Sequence, residues 1–150
     1  MRMKRNMKSD SSQKSFFVDT NVIMYASGID HPLKKPCAIV LTSVLGEGLE
    51  IKTSVEVMQE VLYRYSSINQ LEKGLRLCRQ FLTLFNPLLP VSPADIRLAT
   101  DILESYPTIE SRDAVHTAVA LNNGIKQVIS TDRHYDLIKE IKRVDPAEFP

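Results

Sequence analysis

Four acidic side chains stand where an α/β protein would place chemistry. Asp19 follows the apolar run FFV, and Asp132 lies two residues beyond the run QVIS. Asp113 falls in the first turn of a helix expected after Ser111, and Glu60 lies inside a helical stretch between the apolar pairs Val57-Met58 and Val61-Leu62. Each has a plainer reading, because a carboxylate in a first helical turn is stabilising by itself. Brought together without cations, however, such carboxylates repel and some are forced to stay protonated. A divalent ion removes that conflict. All-oxygen ligation with remaining waters suits Mg²⁺ or Mn²⁺, whereas zinc would call for Cys or His. An ion of that kind acidifies water and offsets charge on a leaving oxygen, which is the chemistry of phosphodiester hydrolysis.

The elements that must position these acids follow from the apolar pattern. Residues 16–18 read as a strand that ends in the polar turn Asp19-Thr20-Asn21, followed by a helix up to Gly28. A helix over 33–45 and a strand over 49–52 come next. Thr53 or Ser54 caps a third helix whose stripe is Val57, Met58, Val61, Leu62 and Tyr65. A helix over 71–85, a buried strand at 88–91, and a helix opened by Ser92-Pro93 with Ile96, Ala99, Ile102 and Leu103 inward follow. Ser111 caps a helix over 112–122 that stops at Gly124; 127–130 is a strand, and a short helix carries Tyr135, Leu137, Ile138 and Ile141. Strands alternating with helices predict an α/β fold with a mostly parallel sheet covered on both faces. In such sheets ligands bind beyond the carboxyl ends of the strands, where Asp19 and Asp132 stand.

Composition limits the alternatives. The chain has 150 residues, enough for one core, with 43% hydrophobic and 25% charged residues and 5 Gly, which excludes disordered and collagen-like classes. No apolar run is long enough to span a bilayer, and the basic N-terminus has no apolar segment behind it to make a secretory signal. A cytoplasmic location is the expectation. Cys37 and Cys78, the 2 cysteines, have no CxxC or Cys/His cluster and read as buried, reduced thiols. Residues 1–14 hold five basic residues against Asp10 and are expected to form a disordered arm, with the domain at 15–150; beyond the arm, 14 basic and 17 acidic residues remain, a net −3. Nucleic-acid binding is therefore not written in bulk charge and must come from a local site. The glycine-rich phosphate loop, the dinucleotide fingerprint, the GxSxG elbow and HExxH are all absent from the sequence. A phosphoacceptor receiver would carry an acidic pair early in the chain, where VDTN has one acid.

Taken in order, VDTN at 18–21, TSVEVMQE at 53–60, SRDAVHTA at 111–118 and STDRHYD at 130–136 resemble the PIN-domain ribonucleases, in particular VapC-type toxins. The resemblance runs from about Phe16 to Pro146. It implies a three-layer α/β/α fold, Mg²⁺- or Mn²⁺-dependent endoribonuclease activity leaving a 5′-phosphate and a 3′-hydroxyl, and a homodimer held by a cognate antitoxin. Asp19, Glu60, Asp113 and Asp132 correspond to the family's catalytic and metal-binding acids. Glu56, one turn before Glu60, reads as a solvated helix residue. Asp136 either reaches the metal through water or caps the final helix. Thr20 and Asn21 are expected to hold Asp19 in place and Thr131 to hold Asp132, although such side chains also stabilise turns without any site. Arg112, His116 and Arg133 are candidate RNA contacts; His116 reads first as a half-buried histidine packed beside the sheet, and the two arginines equally as charge balance. Tyr63, Arg64 and Tyr65 alternate aromatic and basic groups but are split around the helix axis. A catalytically quiet PIN-like module that binds RNA or protein, and a housekeeping RNA-processing nuclease, are the alternative functions.

Overall fold

A computed structural model describes residues 14–150, so the basic arm lies outside the described residues except for Lys14, which opens the first strand instead of closing the arm. The elements are β1 (Lys14–Val18), α1 (Thr20–Ser27), α2 (Lys34–Thr42), β2 (Leu49–Lys52), α3 (Val55–Ser67), α4 (Leu71–Leu84), α5 (Pro93–Ser105), α6 (Ser111–Asn122), β3 (Gln127–Ile129) and β4 (Lys142–Val144). Short 3-10 turns cover Ser43–Leu45, Arg133–Leu137 and Pro146–Glu148.

The four strands form one parallel sheet in the order β2-β1-β3-β4. Phe16, Phe17 and Val18 in β1 and Val128 and Ile129 in β3 are buried, as central strands covered on both faces must be. The chain runs from β1 outward to β2, then returns past β1 to β3. With the right-handed crossovers that parallel strands adopt, this reversal sends α1–α2 and α3–α6 to opposite faces of the sheet. β1 and β3 are neighbours whose chains leave in opposite directions, so a crevice opens at their carboxyl ends.

Local chemistry sets the helix starts. The Ser54 hydroxyl accepts from the Val57 amide to cap α3, and Ser92 with Asp95 closes a capping box on α5. Gly124, at φ +74°, ends α6 in the left-handed conformation that glycine adopts without strain. The Thr53 hydroxyl donates to the Val18 carbonyl at 2.8 Å and ties the end of β2 to the end of β1.

The structure corrects several local expectations. The stretch 88–91 is not a strand: Leu89 makes a single bridge to Ser54, because the flanking Pro87 and Pro90 have no N–H to extend a ladder. The final helix is only a 3-10 turn over Arg133–Leu137, and the unanticipated β4 follows it. Its KRV sequence lacks alternation and suits a charged sheet edge. Ser111 is the first helical residue of α6, with Glu110 at the cap position and no side-chain cap bond. Ile96 points outward; Asp95, Ala99 and Ile102 form the buried face of α5. Cys37 and Cys78 are buried and free. No helix among the described residues is long and apolar enough to cross a membrane.

Candidate active site

Asp19 is the first residue past β1 and the N-cap of α1. Its Oδ1 accepts from the Thr20 amide at 2.8 Å, and its Oδ2 accepts from the Ser130 hydroxyl at 2.6 Å and from Asn21 Nδ2 at 3.1 Å. Asn21 also reaches across to β3: Nδ2 donates to Ser130 Oγ at 3.0 Å, and Oδ1 accepts from the Thr131 amide at 3.2 Å. Asn21 thus contacts Asp19 and stitches the two strand ends together.

Asp132, which Thr131 was expected to hold, is held instead by the hydroxyl of Ser130, just past β3, and the same hydroxyl bonds Asp19. Ser130 is fully buried, and its Oγ also accepts from the Asp132 amide at 3.0 Å, so one hydroxyl orients both acids; Thr131 contributes its backbone N–H. Side chains alternate along an extended chain, and only the residue of the inward parity meets Asp19. The Thr20 hydroxyl is buried without a hydrogen-bond partner.

Glu60 lies on the buried face of α3 among Val57, Met58 and Val61, whereas Glu56 is only partly buried. Arg64 Nε donates to its Oε2 at 3.2 Å, and Arg112 Nε lies 3.4 Å from Oε1. Arg112 also pairs with Glu110 at 2.7 Å, so it is engaged in balancing acids. Asp113, 7% exposed at the start of α6, accepts from the Tyr135 hydroxyl at 3.3 Å. Tyr135 is fully buried, and sequence reasoning had placed it only in an apolar stripe. Asp132 caps the turn that follows β3: its Oδ1 accepts from the His134 amide at 2.9 Å and lies 2.7 Å from His134 Nδ1.

His116 departs from both expectations. It is neither half-buried nor available to RNA but 0% exposed, with Nε2 3.5 Å from Glu60 Oε1 and 3.9 Å from Asp19 Oδ1. Asp136 is taken up by a different cation. Arg143 on β4 grips it at 2.9 and 3.4 Å and donates to the Ser130 carbonyl at 3.1 Å, which ties down both ends of the loop carrying Asp132. Arg133 is exposed, with no acid partner among the described residues.

The electrostatics separate the acids. Burial, reinforced by Asp19 and Asp132, raises the Asp113 carboxyl to about 7. Burial also raises Asp19, against the opposing pull of His116 and Ser130. Burial would raise Glu60 too, but the nearby His116, Thr20 and Arg64 more than offset it and bring it down to about 2. His116 is raised: burial disfavours its charged form, but Glu60 and Asp19 favour it more. Two adjacent carboxyls that resist ionising, a hydroxyl and an imidazole left without hydrogen bonds, and oxygen donors from three chain segments fit a divalent cation. Asp19, Asp113 and His116 each offer a ligand atom within 4.8 Å of the others.

A three-layer α/β/α domain with acids gathered at its topological switch point defines the class, and the chain belongs to the PIN-domain family, whose model matches residues 16–141. More particularly, it is similar to VapC ribonucleases. Ribonuclease VapC13 of Mycobacterium tuberculosis is 35% identical over 127 residues, covering 85% of this chain and 97% of the relative. Ribonuclease VapC23 of the same species is 34% identical over 119 residues, covering 77% and 91%. Among solved structures, FitAcB from Neisseria gonorrhoeae superposes with a TM-score of 0.71 at 18% identity, over 89% of this chain and 99% of that one. DNA-bound VapBC from Salmonella typhimurium gives a TM-score of 0.67 at 16% identity, over 89% and 98%. These structural likenesses speak to the fold.

Proposed function

We propose that this chain is a metal-dependent endoribonuclease and the toxin of a VapBC-type toxin–antitoxin pair, with Asp19, Glu60, Asp113 and Asp132 as its acidic centre and Mg²⁺ or Mn²⁺ as its ion. The observation that carries the reading is the convergence of carboxylates at the crevice between β1 and β3, where Asp113 is raised to about 7. The curated relatives named as VapC ribonucleases support the substrate class, and solved VapBC complexes support an antitoxin partner. A homodimer acting on RNA in the cytoplasm belongs to the same reading.

A divalent ion held there supplies Lewis-acid chemistry, acidifying water and offsetting phosphodiester charge. The chain's own residues do the rest. Asp19, fixed by Thr20, Ser130 and Asn21, presents its carboxylate in one orientation. Asp113 would hold the ion as a carboxylate, with the Tyr135 hydroxyl keeping that carboxylate in place. The nearby His116 and Arg64 keep Glu60 ionised, so the site holds permanent negative charge near neutral pH. Water adds to phosphorus, the bond to the 3′ oxygen breaks, and that oxygen takes the proton, leaving a 5′-phosphate and a 3′-hydroxyl. Arg133 is the exposed cation beside Asp132 that the RNA backbone would meet.

Cleavage of a mixed RNA pool with Mn²⁺, with Mg²⁺ and with EDTA tests this. Wild-type protein is expected to cut with metal only, and Asp19→Asn to lose ~10²–10³-fold in rate while keeping its circular-dichroism spectrum, a loss of the size seen when one preorganised catalytic group is removed. Metal-independent cutting, or full activity in the variant, would overturn the assignment. Growth arrest on expression, relieved by a co-expressed antitoxin, separates a toxin from a housekeeping processor.

A further inference from the structure

His116 touches neither RNA nor ion in the chemistry above, yet its placement asks for a further partner. The ring is 0% exposed, and neither Nδ1 nor Nε2 makes a hydrogen bond. A buried polar group left unsatisfied costs about 1–3 kcal/mol, so a native imidazole in this state calls for a specific reason. Glu60 provides only part of one: its Oε2 already accepts from Arg64, and its Oε1, shared with Arg112 at 3.4 Å, lies at an ion-pair distance of 3.5 Å from His116 Nε2 without hydrogen-bond geometry, while Nδ1 has no partner. Phe17, with ring centroids 5.8 Å apart, flanks the imidazole on the β1 side.

The remaining neighbours are the acids of the metal site. Nε2 lies 3.9 Å from Asp19 Oδ1, and one ligand atom each from Asp19, Asp113 and His116 lies within 4.8 Å of the other two. Donors held at about 2.1 Å from one octahedral ion are about 3.0 Å apart when adjacent and about 4.2 Å when opposite, so this set closes onto one ion with side-chain shifts of about an ångström. His116 follows Asp113 by three residues on α6, which presents both from one helix side.

We propose that His116 is a nitrogen ligand of the divalent ion and makes this centre selective for a transition-metal ion such as Mn²⁺ over Mg²⁺. The inference rests on the metal-dependent reading above and deepens it. Mg²⁺ demands near-ideal octahedral oxygen ligation, whereas imidazole is a good donor to transition ions. An all-carboxylate centre would discriminate far less between the two.

The experiment is Mn²⁺ binding to the full-length, metal-stripped protein, followed by electron paramagnetic resonance with pulsed detection of directly bound ¹⁴N, beside calorimetric titrations of Mn²⁺ and Mg²⁺. Wild-type protein is expected to show ¹⁴N coupling and to prefer Mn²⁺ by at least about tenfold, as a mixed nitrogen–oxygen donor set does. His116→Gln is expected to lose the coupling and most of that preference. His134, whose Nδ1 lies 2.7 Å from Asp132, is the other imidazole beside an acid of the centre, so His134→Gln must keep the signal. That variant and the wild-type spectrum decide the matter even if His116→Gln does not fold. Mn²⁺ bound in an Asp19-dependent way without ¹⁴N coupling would overturn this inference and leave the nuclease reading standing. Failure of the wild-type protein to bind Mn²⁺ at all would overturn both.

Discussion

Asp113 and Glu60 titrate in opposite directions, and the difference makes stability depend on pH. The Asp113 carboxyl is raised from 3.8 to about 7 by burial and by Asp19 and Asp132, so between those values the folded chain binds a proton that the unfolded chain has released. Its contribution is therefore present at acid pH and is lost as pH rises through about 7. Glu60, lowered from 4.5 to about 2, contributes above 4.5 and loses that contribution as pH falls through about 2, outside the neutral window. In EDTA the thermal midpoint is expected to fall between pH 5 and pH 8. Asp113→Asn flattens that fall and raises the pH 8 midpoint by about 5 °C, the effect of ~1–2 kcal/mol in a domain of this size. An unchanged slope in thermal denaturation of the variant would show that Asp113 is not the titrating group. Asp19 and Asp132 were readable in the sequence because acids at strand ends stand out. The Ser130 and Tyr135 hydroxyls were not, since direction and burial carry their roles.

At the scale of elements, two strand ends, one helix start and the buried face of α3 carry the candidate site. Ser130→Ala removes the 2.6 Å bond to Asp19 and the acceptor for the Asp132 amide, so metal affinity measured by calorimetry should drop about 10–100-fold with the fold intact. Ser54→Ala removes the cap of the helix that carries Glu60 and should cost about 1 kcal/mol in denaturant unfolding. Periodicity located all six described α-helices because each lays an apolar stripe on the sheet or on a neighbour. It failed at 88–91 and at β4. Prolines turned an apolar run into a single bridge, and the charged edge strand has no alternation to detect.

For the molecule as a whole, the surplus of acids beyond the arm means that RNA must find local cations. Removing residues 1–13, which hold four basic residues against Asp10, should weaken RNA binding and shrink its salt dependence in filter-binding assays. Equal affinities for the shortened and full chains across salt concentrations would exclude the arm. Phe17 lies fully buried in β1 beside His116, and Phe17→Ala should cost about 3–5 kcal/mol, enough to unfold most domains of this size at moderate denaturant. The sequence by itself determined the fold class and the six helices and singled out the candidate acids, because apolar period, caps and residue type are local properties of the chain. Only the tertiary structure decided which groups meet. The β2-β1-β3-β4 order brings residues more than a hundred positions apart, such as Asn21 and Ser130, within 3.0 Å. That same closure buries His116 among carboxylates and gives Asp136 to Arg143, because partnership depends on side-chain direction and on what the fold excludes from water.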